Sequence, residues 1–192
     1  LRSAPTLLMM PRMSSTHHPS IVPGRTCDAC AMCCKLPEIK ALDKPRNQWC
    51  SHCADHQRCS IYEARPQTCR NFHCLYLLEP SIPQAWQPAQ SRMILTNTED
   101  GNHLFVQVDP ARPDAWRKPP YHAQLREWAR INNAQGKQIV VCVGNRYIVI
   151  FPDHEEDIGN VSEDETVQFS YVQTPSGPVA RAQKIKMPSR SV

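Results

Sequence analysis

Nine of the 10 cysteines of this 192-residue chain fall between Cys27 and Cys74. Their order is Cys27-x2-Cys30-x2-Cys33-Cys34, then Cys50-x2-Cys53-x5-Cys59, then Cys69-x4-Cys74. A disulfide scaffold spreads its cysteines over the chain it staples, and a chain of this length can bury a core without staples. Clustered thiols point instead to metal. A two-residue gap lets two sulfurs converge on one ion at about 2.3 Å each, while the intervening backbone turns. One such gap is a weak signal; this segment has three, beside further cysteines.

Adjacent side chains diverge, and a disulfide between neighbours is strained. Cys33 and Cys34 therefore read as serving different centres, in two metal sites or in a polynuclear cluster. Zinc takes four ligands, so eight thiolates fill two tetrahedral sites and one of the nine is left spare, bridging or redox-active. An iron–sulfur cluster is the alternative: Cys27-x2-Cys30-x2-Cys33 matches the start of the bacterial ferredoxin run, but that run's fourth cysteine and proline are missing. His52, His56 and His73 are further donors, expected at the surface or behind the ligands where thiols are so abundant.

Charge excludes little. The formal net charge is +4, and no basic run interleaves with aromatics, so no nucleic-acid partner is expected. Arg25, Lys35, Lys40, Lys44, Arg46, Arg58, Arg65 and Arg70 read as counter-charges to thiolates. No apolar run approaches the roughly 20 residues of a membrane span. The Leu7-Leu8-Met9-Met10 patch is too short for a signal-peptide core. The expectation is a cytoplasmic protein, where thiols stay reduced and bind metal. No phosphate-binding glycine loop, nucleophile elbow or dinucleotide fingerprint is present, so whether it is an enzyme stays open.

The fold class expected is α+β: an irregular, metal-organised, cysteine-rich N-terminal module and a small antiparallel, β-rich C-terminal region with one main helix. Residues 1–23 read as a disordered tail containing His17-His18, 24–80 as the chelating domain, and 81–192 as a Pro-rich segment followed by the strands. Within the module, Leu36 to Leu42 reads as a short strand or extended stretch, and Ser60 to Arg65 as a helical turn interrupted by Pro66. Strands are expected near Met93–Leu95 and Leu104–Val108 around a turn at Glu99-Asp100-Gly101-Asn102. Tyr121, Leu125, Trp128 and Ile131 recur at helical spacing over 121–135, with Gly136 able to cap. Gln138 to Phe151 is a hairpin turning at Gly144-Asn145, its apolar runs pointing to burial on both faces and Cys142 to a core position. Asp153, Glu155, Glu156, Asp157, Glu163, Asp164 and Glu165 read as a solvated acidic loop. A last strand pair is expected at Thr166–Val172 and Val179–Ile185.

Two stretches carry a family resemblance. Cys27-Asp28-Ala29-Cys30-Ala31-Met32-Cys33-Cys34 resembles the CxxCxxCC signature of the zinc- or iron-chelating domain family, distantly related to flagellin lysine methylases. Residues Cys59-Ser60-Ile61-Tyr62-Glu63-Ala64-Arg65-Pro66-Gln67-Thr68-Cys69-Arg70-Asn71-Phe72-His73-Cys74 resemble its second signature, C-x-I-Y-x-x-R-P-x-x-C-R-x-F-x-C. The resemblance implies that Cys27, Cys30, Cys33, Cys34, Cys50, Cys59, Cys69 and Cys74 chelate zinc or iron, and leaves Cys53 as a possible extra ligand. Tyr62, Arg65 and Arg70 would then surround the ligands, the arginines donating hydrogen bonds to thiolates, with Phe72 packed beneath. The methylases are much longer proteins, and this chain shows no adenosylmethionine-binding glycine loop.

Overall fold

The computed structural model describes residues 20–27, 30–98, 101–175 and 177–187. Most of the expected tail, with His17-His18, and the Glu99-Asp100 half of one turn lie outside these residues. The end of that tail is a correction: the Val22 N–H donates to the Leu77 carbonyl at 2.8 Å, so the chain is already docked there.

The cysteine-rich segment is built from turns. A 3-10 turn at Met32–Cys34 is followed by another at Lys40–Leu42, where a strand or extended stretch is expected. Only an isolated bridge, Ile39 to Lys44, is extended there, because Asp43 at φ 46° turns the chain back at once. A minimal hairpin pairs β1 (Cys53–Ala54) with β2 (Arg58–Cys59). Ser60 to Arg65 is a turn, not a helix; the helix α1 (Gln67–Asn71) begins after Pro66. Proline thus starts this helix instead of interrupting one, since its fixed φ suits a first turn and its missing N–H costs nothing there. The short helices α2 (Leu75–Leu78) and α3 (Pro88–Ser91) lead into the sheet.

The sheet has five strands in sequence order: β3 (Met93–Asn97), β4 (His103–Val108), β5 (Gln138–Val143), β6 (Arg146–Ile150) and β7 (Glu155–Asn160). The fold is α+β, and α4 (Tyr121–Asn133) is its longest helix. The sheet is mixed where an antiparallel one is expected, because β4 and β5 run parallel, from His103 beside Gln138 to Val108 beside Val143. Parallel neighbours need a long crossover, and α4 supplies it. The acidic stretch is also corrected: Glu155 to Asn160 form the edge strand β7. Its carboxylates are paired, Glu155 with His122 Nε2 at 2.6 Å and Arg117 at 3.0 Å, Glu156 with Arg181 at 2.9 Å, and Asp157 with Arg146. The hairpin β8 (Glu165–Thr174) and β9 (Gly177–Lys186) forms the last pair. Gly144 holds φ 62° in the β5–β6 turn, a conformation that L side chains seldom adopt.

Alternation along β5 explains its continuous apolar run. Ile139 and Val141 join the main core with Leu125, Trp128 and Ala129 of α4, whereas Val140 and Cys142 join a second core under the β8–β9 hairpin. Cys142 is 2% exposed, as the sequence predicts. The main core does not stop at residue 80: Met32, Leu36, Leu75, Tyr76 and Leu77 pack in it with Met93, Ile94 and Leu95. Among the described residues, no helix is long and apolar enough to cross a membrane.

Candidate metal centre

Main-chain bonds fold the cysteine segments onto one another. Two of the three gaps are closed by a main-chain bond, the Cys30 N–H reaching the Cys27 carbonyl at 2.8 Å and the Cys53 N–H the Cys50 carbonyl at 2.9 Å. The Cys50 N–H donates to the Cys34 carbonyl at 2.9 Å, which sets the second gap against the Cys33-Cys34 turn. In the hairpin, Cys53 stands directly across from Cys59.

The first segment is fastened to the sheet by charge. Arg25 donates to the carbonyls of Tyr76, Glu79, Pro80 and Ile82, and its guanidinium lies 4.5 Å from the centre of the Tyr76 ring. This clamp holds residue 25 against the end of α2, which itself begins next to Cys74. Lys35, just after the cysteine pair, meets Asp109 at 2.6 Å, and Arg92 takes the other carboxylate oxygen at 2.6 Å. Asp109 is fully buried. Burial alone would raise its pKa, but hydrogen bonds from Lys35, the Ala111 N–H and Arg92 hold it below the usual carboxylate value.

The thiols crowd into two sets that meet and overlap at the Cys33–Cys34 peptide, the Cys34 charge reaching Cys30 as well. Cys33 lies in the field of Cys27 and Cys30, and Cys74 in that of Cys30. Cys34 is bonded to Cys53; Cys53 feels Cys50 and Cys59, and Cys69 feels Cys34, Cys50 and Cys59. The inner group is therefore Cys27, Cys30, Cys33 and Cys74. The outer group is Cys34, Cys50, Cys53, Cys59 and Cys69. Cys33 and Cys34 share a hydrogen bond across the divide.

Their electrostatics follow from burial and crowding. Burial raises the Cys30, Cys69 and Cys74 thiols, and for Cys74 the N–H groups of Leu77 and Tyr76 partly offset it. Cys33 is raised by its bond to Cys34, then by burial. Cys34 is lowered to about 6, first by the Cys33 hydrogen bond and then, against burial, by Cys53, Lys44 and Arg65. Cys53 is pushed up to about 12 by burial and by the Cys34 charge. A thiolate forms readily at Cys34 while Cys53 and Cys69 resist ionising beside it, and a cation would favour their ionisation.

Among the described residues, no three His, Cys, Asp or Glu side chains stand as a finished metal-ligand set. The donor chemistry nevertheless fits a thiophilic metal: each group offers at least four sulfurs, the number that a tetrahedral zinc or a four-iron cluster takes.

The surrounding bases are placed differently from the expected counter-charge shell. The donors of Arg25 and Lys35 are bonded to carbonyls and to Asp109, as described above. Arg70 donates to the Arg65 carbonyl at 3.0 Å and to the Glu63 carbonyl, bracing the turn around Pro66 instead of a thiolate. Lys44 donates to the Lys35 carbonyl at 2.7 Å and to the Pro37 carbonyl, yet its charge still reaches Cys34 and Cys50. Arg65 lies 3.8 Å over the Tyr62 ring and also lowers Cys34 and Cys69. Tyr62 itself is 52% exposed, so its ring lies at the surface. Phe72 packs against the main core, as Cys30 and Cys33 do. His56 is stacked on Trp49 at 4.2 Å, in the turn between β1 and β2. His73 Nδ1 lies 3.2 Å from the Asn71 carbonyl.

Asp109 and the Arg25 clamp escape the sequence. A carboxylate after a strand and before Pro110 looks like a turn residue, and only the fold brings Lys35 to it. Compared with protein-family models, curated proteins and solved structures, the chain matches none.

Proposed function

We propose that this is a metal-binding protein that chelates zinc or iron through its cysteine cluster, in the manner of the CxxCxxCC family its two signatures resemble. The observation that supports the reading is that the fold draws nine thiols into one another's electrostatic field around the Cys33–Cys34 peptide. Each group has the four donors one centre requires. Cys27, Cys30, Cys33 and Cys74 would hold one metal. Cys34, Cys50, Cys59 and Cys69 would hold the other, with Cys53 as the thiol left over. A bound metal would neutralise the crowded thiolates and tie together a segment with little apolar surface of its own. The chain's residues orient the sulfurs, through the CxxC turns, the Arg25 clamp and the Lys35–Asp109–Arg92 bridge. A reducing, cytoplasmic setting suits ten unpaired thiols.

A second reading, an iron–sulfur redox protein or enzyme, is favoured by one observation. The ferredoxin-like Cys27, Cys30 and Cys33 have Cys74 beside them as a remote fourth thiol. Metal analysis with acid-labile sulfide separates the two: zinc without sulfide supports the first, and iron with matching sulfide supports the second. Anaerobically purified protein with neither would sink both.

A further inference from the structure

We infer that Cys53 and Cys59 form a peroxide-sensitive thiol pair, whose oxidation to a disulfide takes Cys59 away from the outer centre and leaves the inner centre intact. The inference rests on the chelation reading above and adds a modification site to it.

Three observations carry it. First, Cys53 and Cys59 are direct cross-strand partners in the β1–β2 hairpin. Second, the Ser60 N–H donates to the His52 carbonyl at 2.8 Å, just outside that pair. In an antiparallel ladder this bond marks Cys53 and Cys59 as the closely spaced pair without mutual hydrogen bonds, whose Cα atoms lie about 4.5 Å apart with both side chains on one face. That spacing falls within the range a disulfide spans without moving the backbone. Third, the two sulfurs differ in access, Cys53 being buried and Cys59 partly exposed. The outer group also holds one thiol more than a four-ligand centre uses, so a partner for Cys59 is always at hand.

The chemistry needs a peroxide as oxidant. The exposed Cys59 sulfur attacks one peroxide oxygen, the O–O bond breaks, and a sulfenic acid forms as hydroxide leaves and takes up a proton. The Cys53 sulfur then attacks the Cys59 sulfur, the S–OH bond breaks, and the Cys53 proton leaves with that hydroxide as water. Two sulfurs lose two electrons in all and the peroxide becomes two waters. The outer group is left with Cys34, Cys50 and Cys69, one thiolate short of a closed centre. Oxidation stops at the disulfide where a second thiol is adjacent, which keeps the change reversible.

The test uses the full chain, purified anaerobically, with its metal content measured before and after stoichiometric hydrogen peroxide. Tryptic cleavage after Arg46, Arg58 and Arg70 puts Cys53 on peptide 47–58 and Cys59 on peptide 59–70. The expected result is loss of half the bound metal, a 47–58/59–70 linked pair whose fragments place the bond at Cys53 and Cys59, and reversal by dithiothreitol with metal added back. Cys53→Ala is expected to bind the same metal before treatment, to give no linked pair and to retain its metal. A loaded chain that links Cys53 to Cys34 overturns this inference alone. So does a Cys53→Ala variant that sheds metal as wild type does. A chain purified with no metal overturns the chelation reading, and this inference falls with it.

Discussion

The inner and outer thiol groups are separated by one peptide bond yet stand on different foundations. Cys74 is itself part of the main core, and Cys30 and Cys33 pack against it with Met32, Leu36 and Leu75. The outer group rests on a small cluster of Ala31, Cys50 and Cys53, edged by Cys34, Leu42 and Trp49. Cys30, Cys33 and Cys74 therefore sit in packing that does not depend on what the thiols bind, whereas Cys27 is exposed. The outer lobe has few apolar side chains of its own, and under the proposed function its shape depends on what joins its sulfurs. Under the proposed function, adjacent cysteines let one segment connect a well-packed centre to a conditional one.

The largest effect expected from this contrast comes from removing metal. A structural zinc in a small thiolate domain contributes about 10–16 kcal/mol of apparent binding free energy at neutral pH. A strong chelator should therefore open the outer lobe to trypsin at Arg58 and Arg70 while circular dichroism of the sheet persists. Simultaneous loss of both regions would break the comparison. Cys69→Ser and Cys30→Ser are each expected to lose metal and solubility together; full metal content in both variants would remove these thiols from the ligand set. Within the main core, Trp86 is fully buried and its indole N–H donates to Gln124 at 2.5 Å. Trp86→Ala should cost about 3–5 kcal/mol in denaturant unfolding without changing the metal-to-protein ratio.

Asp109→Asn tests the link between the regions, with an expected cost of about 3 kcal/mol, at the low end for a broken buried pair because Arg92 keeps contact with water. The pH dependence has a definite sign. The folded pKa of Asp109 is depressed, so its contribution is complete above the unfolded value near about 3.9 and is lost as pH falls through the folded one. The stability gap between wild type and Asp109→Asn should close below about pH 4; a gap that widens in acid would contradict the assignment. The smallest effect is expected at Cys142, pushed up to about 12 by burial and packed in the second core with Val140, Val149 and Phe151. Cys142→Ser should cost about 1–3 kcal/mol for a buried hydroxyl and leave metal content unchanged. Loss of one metal equivalent would place it among the ligands.

The C-terminal half was legible because its elements announce themselves by period and turn chemistry. Tyr121, Leu125 and Trp128 mark α4, and Gly144-Asn145 marks the β5–β6 turn. Less legible was β7, where pairing with Arg117, Arg146 and Arg181 makes a strand of residues that read as a solvated loop. The parallel β4–β5 pairing was hidden because adjacent strands in sequence suggest hairpins. In the cysteine segment no periodicity exists to read. Asp43, Asn47, Asp55 and His56 adopt positive φ, and such turns are set by long-range bonds such as Cys50 to Cys34. Spacing alone pointed to different centres for Cys33 and Cys34, but which cysteines accompany each depends on Cys74 returning beside Cys30.

Metal and acid-labile sulfide content, with an absorption spectrum, on anaerobically purified full-length chain tests the central claim most directly. Two thiolate centres predict about two zinc ions per chain and no visible absorption, or iron with matching sulfide and a broad visible band. Protein that is folded and soluble, free of metal and sulfide, with all ten thiols reactive under native conditions, would contradict it.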